Sequence, residues 1–316
     1  MKTWLITGCS SGLGRGIAKA VLRRGDWAAV TARDPAELNT LAQAYPERVL
    51  PLRLDLTDRE SMEQAVHEIC QHFGSIDVLV NNAGHGYRAA IEESAPEAVE
   101  ELFQTNFFGP MDLTRLVLPQ MRARRSGLIV NVTSIGAVRG ALGNGYYSAA
   151  KGALELASEA LAKEVKHLGI RVMLAEPGAL RTGFYGERLK SSRLAIPDYN
   201  PLAAQYRRGP QTDRHDQPGD PDRAGELIVE TALRSDAPFR LLLGSDAVQA
   251  AVETLENRLL EARSWAEVVI NPISAPSLEH TKEGTCVVFC IGLYGEKNVK
   301  QDDMPVIGNT PFGLDF

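Results

Sequence analysis

The chain has 316 residues, 44% of them hydrophobic and 23% charged, a balance typical of a globular protein and not of a disordered one. A formal net charge of -6 argues against a nucleic-acid partner, because neutralising phosphates needs a basic surface. The four cysteines, Cys9, Cys70, Cys286 and Cys290, form neither a paired zinc-binding set nor a disulfide framework, so no metal is expected.

The N-terminus runs from Met1 straight into a glycine-rich turn and leaves no room for a signal peptide. No apolar run reaches the roughly 18 residues of a membrane helix. A cytoplasmic protein with no membrane partner is expected.

Short apolar runs at Thr3–Thr7, Ala28–Ala32, Val49–Leu54, Val78–Asn81, Leu128–Thr133 and Arg171–Glu176 read as strands, each followed by a helical pattern. A seventh strand fits Arg240–Leu243, and a helix should follow from Ala247 to Arg263. This alternation predicts an α/β fold: a doubly wound (Rossmann), predominantly parallel seven-stranded sheet with helices on both faces. Asp34-Pro35 and Asp58 read as helix starts, and Gly74 as a helix stop.

The first strand ends in Thr7-Gly8-Cys9-Ser10-Ser11-Gly12-Leu13-Gly14. Small residues between a strand and a helix let the backbone approach a pyrophosphate, and the helix N-terminus faces its charge. Gly8, Ser10, Ser11, Gly12, Leu13 and Gly14 are therefore the expected dinucleotide cradle. The end of the second strand should meet the adenosine ribose. There an acidic residue selects NAD and an arginine selects NADP. Arg33 and Asp34 compete for this position; Asp34 is better used as a helix cap, which leaves Arg33 for a 2′-phosphate. NADP is the expected cofactor and NAD the alternative. Arg15 either adds positive potential or points to solvent.

Tyr147 and Lys151 lie four residues apart in a helical stretch and share one face. A free tyrosine titrates near 10, and a nearby ammonium favours its phenolate. Such a tyrosine can exchange a proton with a carbonyl or alcohol oxygen. Ser134 follows the fifth strand, at the sheet edge where doubly wound folds bind ligands, and its hydroxyl can hold the same oxygen. Ser148 is the competing serine.

The glycine turn, Asn81-Asn82-Ala83-Gly84, Ser134, Tyr147-Ser148-Ala149-Ala150-Lys151, and Pro177-Gly178 with Thr182 occur in one order and spacing. In these motifs the chain resembles the short-chain dehydrogenase/reductase family over about residues 2–263. The resemblance implies hydride transfer between a nicotinamide cofactor and a small carbonyl or alcohol substrate, with Asn106, Ser134, Tyr147 and Lys151 as catalytic residues. It implies that Asn106 holds a proton-passing water and that Lys151 also binds the nicotinamide ribose. It further places Asn81, Ala83, Gly84, Pro177, Gly178 and Thr182 beside the cofactor, and Asp55 and Leu56 near the adenine. A homodimer or homotetramer is expected on the same ground.

Residues 183–222 would then cover the substrate. Phe184, Tyr185 and Leu189, with Val138 and Leu142, would form an apolar wall suited to an uncharged ketone, aldehyde or secondary alcohol. Arg188, Arg193, Arg207 and Arg208 leave an acidic substrate open but read better as solvated loop charges. His85 reads as a neighbour of the pocket. One domain over 1–270 is expected, followed by an atypical extension, 271–316, in which only Thr285–Leu293 has the character of a strand. The extension departs from the family pattern and is open to reading as a hairpin, an oligomer contact or a disordered tail. A dinucleotide-sensing regulator without turnover, or an interaction protein acting through this tail, are the competing classes.

Overall fold

A computed structural model of the chain describes residues 1–186, 189–203, 205–207 and 216–274. Arg188, Arg208, Cys286, Cys290 and the strand expected at 285–293 lie outside the described residues. The chain divides into two units, Met1–Glu261 and Ala262–Phe316.

In chain order the elements are β1 (Thr3–Ile6), α1 (Gly12–Arg23), β2 (Trp27–Ala32), α2 (Asn39–Ala44), β3 (Val49–Arg53), α3 (Arg59–Phe73), β4 (Val78–Asn81) and β5 (Gly86–Arg88). Then come α4 (Pro96–Phe103), α5 (Gly109–Arg124), β6 (Gly127–Val132), α6 (Ile135–Val138), α7 (Gly145–Val165) and β7 (Ile170–Pro177). The last are β8 (Leu189–Ser191), α8 (Asn200–Ala203), α9 (Pro221–Ala232), β9 (Arg240–Leu243) and α10 (Ser245–Ser274).

Seven strands form one sheet in the order β3-β2-β1-β4-β6-β7-β9, and every neighbouring pair is parallel. This is the doubly wound sheet that the alternation predicts. The order reverses between β1 and β4, which opens a crevice at the carboxyl ends of the strands. β5 and β8 form a separate parallel pair beyond that edge.

Both faces of the sheet are covered, so successive residues of one strand enter different cores. Trp4 and Ile6 of β1 pack with Ile17 and Val21 of α1 and Ile228 of α9. Leu5 packs on the other side with Ile69 of α3, Leu113 and Val117 of α5 and Leu161 of α7. α1 and α9 cross closely at Gly16 and Gly225. A Cβ on Gly16 would strike the Pro221 carbonyl, and one on Gly225 would strike the Gly16 backbone.

The expected helix signals behave as their chemistry requires. Asp34 accepts from the Ala36 amide at 2.9 Å and starts a 3-10 turn that leads into α2. Asp58 accepts from the Ser61 amide at 3.1 Å at the start of α3, and Gly74 closes that helix at φ 84°. The last helix runs further than expected: Ser264-Trp265-Ala266-Glu267-Val268-Val269-Ile270 after Arg263 carries no glycine or proline, and the helix passes Pro272 before it ends at Ser274. Among the described residues no helix is long and apolar enough to cross a membrane.

Candidate active site

A cavity of about 320 Å³ opens at the crevice. The glycine turn forms one end of it. Gly8 and Gly12 adopt φ values of 72° and 60°, which only glycine takes without strain. Gly8, Ser11, Gly12, Leu13 and Gly14 all line the cavity. Ser11 precedes α1 without a side-chain cap, and the first turn of α1 holds no acidic residue. Its first amides are thus left for an external acceptor, which suits an anion such as a pyrophosphate.

The turn is fastened to β4 by Asn82. Its side-chain amide donates to the Thr7 carbonyl at 2.8 Å, and its backbone amide donates to the Thr7 hydroxyl at 2.9 Å. Asn82 lines the cavity and Asn81 does not. The Asn81 side chain points into the interior, where it donates to Asn131 at 2.8 Å and Thr114 at 3.1 Å. Asn131 in turn donates to Ser158 of α7 at 2.7 Å. Asn81 therefore joins β4, β6 and α7, and the residue beside it faces the ligand space. Two adjacent asparagines at a strand end give no signal of which one turns inward.

At the other end of the cavity stand Ser134, Tyr147 and Lys151. Ser134 leaves β6 in an extended conformation and accepts from the Gly136 amide at 3.0 Å, which starts α6. Tyr147 and Lys151 project from one face of α7, and both are buried. The Lys151 ammonium donates to the Val132 carbonyl at 2.9 Å, and burial pulls its pKa down to about 8. Burial pushes Tyr147 up to about 12, against a downward pull from hydrogen bonding to Ser134. Desolvation, and not the neighbouring lysine, therefore governs the phenol, contrary to expectation. The cation that acts on the phenol is Arg88 of β5.

Asn106 lies in a π-helical turn, Gln104–Phe108, that joins α4 to α5. Its side chain is fully buried and exchanges two hydrogen bonds with the His85 backbone, at 2.9 and 3.1 Å. Gly84 sits between Asn106 and Lys151: a Cβ there would lie 2.8 Å from the Asn106 oxygen and 3.5 Å from the Lys151 nitrogen. Asn106 does not line the cavity; it holds the turn that does. His85 is packed behind the wall, and burial lowers its pKa.

Ala83, Gly84, Pro177, Gly178 and Thr182 line the cavity. The Ser148 hydroxyl donates to the Arg139 carbonyl at 3.3 Å and leaves Ser134 as the serine beside Tyr147. Four further expected contacts lie outside the cavity lining: Ser10, Arg33, Asp55 and Leu56. One Asp55 oxygen accepts from the Thr57 amide and hydroxyl at 2.9 and 2.8 Å, and Leu56 is buried against Gly109. Arg33 is exposed at the end of β2. Arg15 reaches across the glycine turn, donating to the Ser10 carbonyl at 3.2 Å and the Thr40 hydroxyl at 2.8 Å.

The cavity wall beside Tyr147 is aromatic. Phe184 meets Tyr147 edge to face at 5.6 Å, and Tyr185 meets Phe184 at 5.5 Å. Leu189 backs onto Gly86 behind this wall, Val138 is buried away from the cavity, and Leu142 is exposed. Arg88, Arg139, Asn144 and Asp246 also line the cavity and were not expected there. They come from distant parts of the chain, and only the folded sheet edge brings them together.

Comparison with known proteins agrees with this geometry. The short chain dehydrogenase family model matches residues 2–192. The chain is 34% identical over 268 residues to an oxidoreductase of Botryotinia fuckeliana, covering 84% of this chain and 97% of that one. A short-chain dehydrogenase from Streptomyces avermitilis superposes with a TM-score of 0.79 at 40% identity, covering 86% of this chain and 100% of its own. An alcohol dehydrogenase from Thermococcus sibiricus, solved with 5-hydroxy-NADP, superposes with a TM-score of 0.62 at 26% identity, covering 77% and 96%. With the motifs on one cavity and the family model spanning most of the sheet, the chain belongs to the short-chain dehydrogenase family of oxidoreductases.

Proposed function

We propose that this protein is an NADP(H)-dependent oxidoreductase acting on a partly apolar ketone, aldehyde or secondary alcohol. The observation that carries the reading is the meeting of Ser134, Tyr147 and Lys151 in a cavity whose far end is the uncapped N-terminus of α1.

The nicotinamide, when bound, supplies or accepts the hydride. The chain's own residues handle the proton. With its pKa near 12, Tyr147 is a neutral phenol at physiological pH, ready to give a proton to a developing alkoxide. Ser134 hydrogen-bonds the same oxygen and holds it in reach. Lys151 keeps a positive charge below about pH 8, close to where the ribose of the dinucleotide would lie. In the oxidative direction Tyr147 must first lose its proton, and the hydrogen bond with Ser134 favours that state.

Three features support NADP over NAD. Arg33 stands exposed at the end of β2, Arg15 adds a second cation over the glycine turn, and the Asp34 carboxylate is occupied as a helix cap. The Thermococcus sibiricus relative, with its 5-hydroxy-NADP, points the same way.

Titration of the purified protein with NADPH and NADH, followed by cofactor fluorescence, tests the reading. NADPH should bind more tightly, and Arg33→Ala should weaken NADPH by roughly tenfold or more while leaving NADH unchanged. Tighter NADH binding would replace the NADP assignment with NAD. Binding of neither would sink the oxidoreductase reading.

A further inference from the structure

The reaction as described leaves Arg88, a cation of the cavity, without a partner among the reacting groups. Arg88 ends β5 on the same side as Gly86, since side chains alternate along a strand. A Cβ on Gly86 would lie 2.8 Å from Leu189 and 3.0 Å from Phe184, so this side looks onto the substrate wall. The Arg88 side chain is half-buried and lines the cavity with Tyr147, Phe184 and Tyr185. Its charge is felt by both phenols, which places the guanidinium at the reacting end and away from the glycine turn.

Among the described residues Arg88 meets no carboxylate. Other arginines on this side of the molecule are engaged. Arg207 pairs with the buried Glu93, and Arg181 donates to the Gln217 and Pro218 carbonyls at 2.8 and 3.0 Å and faces Asp220. Among the described residues one acid lines the cavity, Asp246; it accepts from the Ala179 amide at 2.7 Å on the Gly178 side, and although its charge reaches Tyr185 it makes no ion pair with Arg88. Holding a guanidinium out of bulk water without a counter-charge is costly. Its flat fork of donors matches a carboxylate in two parallel hydrogen bonds. Arg139, exposed at the rim of the same cavity, adds potential of the same sign.

We propose that Arg88 anchors the carboxylate of the substrate, so that this site takes an apolar oxo acid or hydroxy acid. The carbonyl or hydroxyl carbon then lies by Tyr147 and Ser134, and the apolar body rests on Phe184 and Tyr185. The carboxylate stays ionised and makes or breaks no bond; the chemistry at the carbonyl is that already described. The proposal rests on the oxidoreductase reading above for the identity of the reacting group. It replaces the expectation of an uncharged substrate, which considered only the arginines after residue 183.

Calorimetric titration with benzoate and cinnamate, each against its own primary amide, tests the anchor without needing the true substrate. Wild-type protein, Arg88→Met and Arg88→Lys are compared, with and without saturating NADPH. The carboxylates should bind wild type roughly tenfold or more tightly than the amides. Arg88→Met should erase that preference, and Arg88→Lys should keep part of it, because the charge remains but the fork is lost. Equal binding of acid and amide to wild type, no binding of either acid, or an undiminished preference in Arg88→Met would overturn the proposal. Should Arg88→Met fail to fold, the wild-type comparison and the Arg88→Lys variant still decide. Failure of the oxidoreductase reading shows separately, as absence of NADPH and NADH binding in wild type.

Discussion

Lys151 and Val132 are joined by a 2.9 Å hydrogen bond that ties the charged head of α7 to the last carbonyl of β6. The lysine is 5% exposed, and burial lowers its pKa to about 8. In the unfolded chain it would hold its proton to about 10.5. Below pH 8 the folded protein therefore carries a desolvated charge at full cost, and that cost fades as pH rises from 8 to 10.5.

Lys151→Met keeps the apolar stem and removes the charge. Turnover should be lost. Each pKa unit corresponds to about 1.36 kcal/mol, and the variant also gives up one hydrogen bond, so a gain on the order of 1–3 kcal/mol is expected below pH 8. At roughly 2–4 °C per kcal/mol this is readable as a raised Tm. Thermal unfolding at pH 6.5 and pH 10.5 checks it: the gain should be present at the first and gone at the second. A lower Tm for the variant at pH 6.5 would show that the lysine stabilises the fold.

The same titration shapes the rate. In the reductive direction Tyr147 remains protonated across the usual range, because its pKa lies near 12. Lys151 is then the group that changes charge, near pH 8. Reductive kcat/KM should be level below that value and fall above it. A profile that instead stays level to pH 10 would mean the lysine charge does not assist the step.

The sheet was legible because each strand is a short apolar run bounded by glycine, proline or aspartate, and strand ends moved by no more than about one residue. The glycine turn and the Tyr147–Lys151 pair were legible for a similar reason: both depend on local spacing. What stayed hidden depends on side-chain facing and on distant pairing. Asn81 and Asn82 are identical in type, and partners distant in the chain, Asn131 on β6 and Thr114 on α5, draw the first inward. Arg88 carries no local signal of facing the cavity, since its place there depends on β5 pairing with β8, a hundred residues further on. Desolvation of Tyr147 is likewise a property of the assembled cavity, so the sequence argument gave its pKa the wrong direction.

The segment around residues 192–207 is held by one buried acid. Glu93 accepts from the Ile196 amide and the Tyr206 hydroxyl, each at 3.0 Å, and pairs with Arg207. Its carbonyl accepts from the Ser192 hydroxyl. Tyr206 is buried against Gly143, so this fastening joins the segment to both the turn after β5 and the loop before α7. Burial raises the pKa of Glu93, but these hydrogen bonds outweigh it and hold the carboxyl below its ordinary range. Its contribution is thus present above pH 4.5 and is lost only as pH falls through the lowered value. Glu93→Ala should leave several donors unpaired and release the segment. Limited proteolysis should cut residues 192–207 roughly tenfold faster or more, with the sheet intact by circular dichroism. Equal cleavage of variant and wild type would refute the fastening.

A second buried acid works against stability. Glu176 of β7 is 1% exposed and lies 3.7 Å from Arg240, which already holds Glu155 at 3.0 Å and Glu159 at 2.7 Å. One guanidinium serves three carboxylates, and the deepest is served worst: Glu176 keeps an oxygen with no hydrogen-bond partner. Burial, reinforced by the charge of Glu155, pushes its pKa up to about 7, against the pull of Arg240. The folded protein keeps this proton up to about pH 7, while the unfolded chain releases it near 4.5. Stability from this group is therefore fullest below pH 4.5 and is lost as pH rises through 7. Glu176→Gln cannot ionise and should gain on the order of 1–3 kcal/mol over wild type at pH 8, by the same conversion of about 1.36 kcal/mol per unit. Melting curves of both proteins at pH 4.5, 6, 7 and 8 should diverge as pH rises and meet at the acid end. Parallel melting across the series would mean that Arg240 compensates Glu176 fully, and the three-carboxylate cluster would then be neutral in its effect on the fold.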